Sequence, residues 1–96
     1  MIMENIEEYI EKDQSILANE IVKKHNIGQD MACAIAPFII EAWFEWLRSG
    51  AEDYNPEVTV KRLVDANIIN QSEMETYAVI CKDAFNIYDY SACVIY

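Results

Sequence analysis

His25 is the single histidine of the 96-residue chain, and the three cysteines are Cys33, Cys81 and Cys93. A metal site or a general base would need these groups at ligand spacing. The cysteines form no C-x-x-C pair, and no second histidine exists to join them. His25 follows Lys23 and Lys24 at the end of a helical pattern, where a cation complements the helix dipole. No G-x-S-x-G nucleophile elbow occurs, and two glycines cannot build a phosphate loop or a dinucleotide fingerprint. The expectation is therefore a non-enzymatic protein with no catalytic residues, no cofactor and no metal.

The side chains that remain for function are acids and aromatics. Glu4, Glu7, Glu8 and Glu11 recur at helical spacing and gather on one arc of a wheel. The stripe they form is about 10 Å long at 1.5 Å per residue. Like charges at these spacings cost about 0.2–0.5 kcal/mol per pair in an isolated helix, partly offset near the helix N-terminus. Such a row can present negative charge as a nucleic-acid backbone does, or can serve only to keep a greasy protein in solution. Glu52 and Asp53 add to it from a polar loop. Trp43, Phe44 and Trp46 span too wide an arc of one helix to share one small core. Trp46, Tyr54 and Tyr90 are accordingly candidate partner anchors, because exposed Trp and Tyr are favoured at interfaces.

Composition narrows the setting. Seventeen Asp and Glu against seven Lys and Arg give a formal net charge of −10. That balance disfavours direct nucleic-acid binding and docking on an anionic membrane. The apolar fraction of 53% is too high for a disordered acidic tail. The longest apolar run, Met31 to Ile40, is half a bilayer span and reads as a buried helix. The acidic N-terminus does not resemble a secretory signal, so a cytoplasmic location is expected, with the cysteines reading as small core hydrophobes.

The elements that position these groups are helices. The pattern predicts a single all-α domain over 1–96, a bundle of about five short helices. The first covers about 2–12; a second, capped by Asp13 or Ser15, ends at Asn26-Ile27-Gly28, where Asn26 or Gly28 can turn left-handed. Asp30 caps the central helix, 31–48, which Pro37 either kinks or divides. This stretch resembles a helix-turn-helix corner, but its second helix, starting Asp-Met-Ala-Cys-Ala-Ile-Ala-Pro-Phe, offers nothing to a base edge, so an ordinary αα-hairpin is favoured. Asn55 and Pro56 open a fourth helix, although Val58-Thr59-Val60 also suits an extended piece. Ser72 and Glu75 form a capping box for a fifth, through about Tyr88. The tail 91–96 is open to a short strand, a last helical turn or a packed segment. A faint echo links Asn26-Ile27 with Asn67-Ile68, two similar helix-ending corners.

Size, charge and the missing catalytic kit are similar to those of small proteinaceous inhibitors, anti-CRISPR proteins and nuclease immunity proteins among them. This is a likeness of properties with no shared motif. It implies a binding protein that neutralises a basic, nucleic-acid-handling partner. The contrasting expectations are a helical homodimer or larger oligomer built on the apolar surplus, and a degenerate helix-turn-helix domain.

Overall fold

From Met1 to Ile27 the sequence holds neither glycine nor proline. In the computed structural model the chain uses nearly all of that stretch as one helix, α1 (Ile2–His25). The structure describes the backbone of residues 2–50 and 53–95 and the side chains of residues 13–50 and 53–90. Helices α2 (Gln29–Arg48), α3 (Pro56–Asp65) and α4 (Met74–Ile95) follow, with a 3-10 turn at Gln71–Glu73 leading into α4. The fold is all-α, with four helices in place of the five expected and no strand among the described residues.

The missing boundary is the one expected at Asp13 and Ser15. Asp13 does not cap: its Oδ2 accepts a hydrogen bond from the Tyr88 hydroxyl at 3.0 Å, which ties α1 to α4. Neither glycine nor proline lies nearby, so nothing there breaks the helix. Of the alternatives open to the tail, the helical one holds. No glycine or proline follows Pro56, and α4 continues to Ile95, so residues 91–95 are helical rather than extended. Val58-Thr59-Val60 is helical too, because Asn55 caps α3 by accepting from the Glu57 amide at 3.0 Å and Pro56 occupies the first turn.

Helix α2 is the spine. Ala32, Ile35, Ala36, Ile39, Ile40, Ala42 and Trp43 are all buried, a stripe wide enough to serve three neighbours. It packs against α1, α3 and α4, while α1 and α3 each also pack against α4. Pro37 lies inside α2 without dividing it. The helix begins one residue before Asp30, which sits in the first turn with Gly28 at the cap position. Leu17, Ala18 and Ile21 of α1, Val60 and Leu63 of α3, Ile69 of the following corner, and Tyr77, Ile80, Cys81, Ala84, Phe85 and Tyr88 of α4 complete the core.

Two corners share one device. Asn26 and Asn67 both adopt positive φ, 53° and 60°, the left-handed conformation that asparagine tolerates better than most residues. After α3 the Ile68 amide bonds to the Leu63 carbonyl and the Asn67 amide to that of Val64, both at 2.9 Å. That is a Schellman closure with asparagine in the usual glycine position. The cap lies two residues earlier than the Ser72–Glu75 pair implies, at Asn70, and it opens the 3-10 turn that leads into α4. The Glu73 carboxylate reaches back to the Asn70 amide at 2.9 Å, and the Glu73 amide bonds to the Asn70 carbonyl at the same distance.

Candidate protein-binding site

The end of α2 sets up one groove. Ser49 closes the helix, its amide bonding to the Glu45 carbonyl, and Gly50 turns the chain at φ 96°, a conformation that favours glycine. The chain returns through Asp53 and Tyr54 to the Asn55 cap of α3. Tyr54 is pinned by both ends of its side chain. Its ring stacks on Phe85 at 3.9 Å between centroids and 5° between planes, and its hydroxyl shares a 2.6 Å hydrogen bond with the buried Thr59. Burial raises the phenol above its usual value of 10.0, and the Thr59 hydrogen bond opposes that rise. Trp46 meets the same Phe85 edge-on at 5.4 Å. Phe85 is thus the post on which both candidate aromatics are hung.

Between α2, this loop and α3 lies an open groove of about 300 Å³. Ala42, Glu45, Trp46, Asp53, Tyr54, Val58 and Arg62 are among the residues that line it. Glu45 Oε2 and Arg62 Nη1 stand 3.0 Å apart, joining α2 to α3. Of the nine residues proposed from the sequence, the fold therefore brings Trp46, Asp53 and Tyr54 together. Trp46 and Tyr54 are half-buried and Asp53 is exposed. Glu45 and Arg62 belong to the same groove. Their sequence gave no sign of it, since a pairing between two helices is a tertiary fact.

Tyr90 lies apart from that group. It is 75% exposed and lines a second groove, of about 540 Å³, with Ile16, Glu20, Lys24, Asp83, Asn86 and Ile87. His25 is more than a helix-end group: its Nε2 lies 2.8 Å from Oδ2 of Asp83, with Lys24 Nζ 4.0 Å from the other carboxylate oxygen. Backbone positions 4, 7, 8 and 11 are helical, as expected, and the side chains of Glu4, Glu7, Glu8 and Glu11 lie outside the described residues, as does Glu52.

The acids divide into two kinds. Asp13, Glu20, Glu45, Glu73, Asp83 and Asp89 each hold an internal partner. Asp30, Glu41, Asp53, Glu57, Asp65 and Glu75 are exposed, spread over α2, the following loop, α3 and the start of α4. The cysteines also divide. Cys81 is buried, which pushes its thiol up to about 12. Cys33 is exposed beside Gln29, contrary to its expected place in the core, because it falls off the buried stripe of α2. Cys93 lies outside the described side chains.

Among the described residues no group of three or more His, Cys, Asp or Glu side chains could hold a metal ion. No helix in that set is long and apolar enough to cross a membrane. Comparison with family models, with curated proteins and with solved structures found no match.

Proposed function

We infer that the chain is a small acidic binding protein that docks on a cationic, nucleic-acid-handling protein in the cytoplasm and blocks it, as anti-CRISPR and nuclease immunity proteins do. The observation that carries this reading is the surplus of exposed negative charge. The net charge is −10, and Asp30, Glu41, Asp53, Glu57, Asp65 and Glu75 face solvent. The cations Lys23, Lys24 and Arg62 are drawn to Glu20, Asp83 and Glu45. A surface of that sign steers a basic protein toward it and speeds encounter, and does so less at high salt. The sequence adds four more carboxylates at Glu4, Glu7, Glu8 and Glu11, while the half-buried Trp46 supplies a low-entropy apolar contact.

The test is direct binding of the full chain to a panel of purified nucleases and nucleic-acid-binding proteins, with their activities followed in parallel. The expected result is saturable binding to at least one basic member that weakens with salt and suppresses its activity. Binding to none, or binding indifferent to salt, contradicts the reading.

A second reading, self-association, is favoured by one observation: Ile16 is 51% and Tyr90 75% exposed in the same groove between α1 and α4. Sedimentation at micromolar concentration separates the two. A tight, salt-insensitive dimer favours self-association, and a monomer favours the acidic inhibitor.

A further inference from the structure

The geometry points to the groove between α2 and α3 as a seat for one lysine or arginine side chain of a partner protein. This inference rests on the reading above and names the chemistry of one contact within it. Glu45, Asp53 and Arg62 all line the groove, two acids to one base, within a chain that is itself strongly negative. Arg62 already demonstrates the chemistry, since its Nη1 lies 3.0 Å from Glu45 Oε2 with both side chains more than a third exposed. The remaining lining is apolar where a cationic side chain is apolar. Trp46, Tyr54 and the 48%-exposed Val58 line the same groove, matching an aliphatic stem that ends in a charge. A volume of about 300 Å³ has ample room for one such side chain. An anionic ligand would face Glu45 and Asp53, and a purely apolar one would leave their charges to be desolvated without return.

Arg62 then has a definite role. It is the resident cation, and an incoming one competes with it for Glu45. Removing it strengthens cation binding, whereas a groove shaped only by the Glu45–Arg62 contact would gain nothing from its loss.

The experiment uses the full chain and three capped tripeptides, acetyl-Gly-Lys-Gly-amide, acetyl-Gly-Arg-Gly-amide and the norleucine analogue, followed by nuclear magnetic resonance. The lysine and arginine peptides should shift the Trp46 indole and the Asp53, Tyr54 and Val58 amides saturably, at least fivefold more tightly than norleucine. Asp53→Asn should weaken the cationic peptides about threefold, the scale of one exposed charge pair, and Arg62→Gln should tighten them by a similar factor. Norleucine binding as well as lysine overturns the proposal, as do shifts equally strong around Asp30, Glu41 and Glu75, or no tightening in folded Arg62→Gln protein. A chain that fails here but still binds a purified basic protein in a salt-dependent way loses only this contact. One that binds the peptides and no basic protein loses the inhibitor reading instead.

Discussion

The indole N–H of Trp43 donates a 2.9 Å hydrogen bond to Asp89 Oδ1, joining the buried spine α2 to α4. Trp43 is only 6% exposed, and the edge of Tyr88 packs against it at 5.4 Å between centroids. Its nitrogen has little access to water if Asp89 is lost. Asp89→Ala should therefore cost about 1–3 kcal/mol, the penalty for orphaning a buried donor. Asp89→Asn, which keeps an acceptor oxygen, should cost less than Asp89→Ala. Urea unfolding of the two variants checks this, and equal losses would show that the acceptor is not what matters.

Tyr88 connects in the other direction, to Asp13 in the middle of α1. A double-mutant cycle on Asp13→Ala and Tyr88→Phe should give a coupling of about 1 kcal/mol, within the range for residues in direct contact. Strict additivity would argue that α1 is not fastened to α4 there.

The two left-handed corners make a paired prediction. Alanine at position 26 or 67 must hold a backbone that its Cβ resists, so each substitution should destabilise by about 1–2 kcal/mol. Glycine at either site should be nearly neutral, since it takes positive φ without that penalty. Thermal unfolding of the four single variants tests the pair, and an alanine as mild as glycine would contradict the assigned conformations.

How much of this was legible beforehand depends on where each signal lies. The periodicity of Tyr77, Cys81, Phe85 and Tyr88 reports a buried face directly, and all four are buried. The Asn55-Pro56 start and the Asn26 stop were legible because caps are local chemistry. The break at Asp13 was misread because a capping side chain and a tertiary acceptor look identical in one dimension. The Trp43–Phe44–Trp46 ambiguity resolves the same way: Trp43 enters the core, Phe44 rests against its edge at 37% exposure, and Trp46 leans on Phe85. At the candidate site, residue type singled out Trp46, Asp53 and Tyr54 one by one, and that the three line one groove is a fact of the fold. Residue type could not mark Glu45 and Arg62, whose meeting requires α2 and α3 to be placed first, nor separate Tyr90 onto another face.

The buried thiol gives a pH dependence with a definite sign. Cys81 titrates at about 12 in the folded chain against an ordinary 9.0, so above pH 9 the unfolded state releases its proton first. Its stabilising contribution is complete below pH 9 and declines as pH rises toward 12. Tyr54, also raised by burial, adds a decline in the same direction above pH 10. Stability measured from pH 8 to 11 should fall, and Cys81→Ala should flatten the earlier part of that fall. In a Cys93→Ser background at pH 8, a thiol reagent should modify Cys33 at once and Cys81 only at the rate of unfolding. Rapid labelling of both would contradict the packing of α4.

The central claim is that the carboxylate surplus drives recognition of a cationic protein. It is tested most directly by reversing Glu4, Glu7, Glu8 and Glu11 to lysine together. Inhibition of the basic partner is then measured at low and at high salt, with helicity and monomer state checked alongside. The account predicts that the folded variant loses inhibition at low salt, where the native chain is strongest. A folded variant with undiminished potency would contradict it.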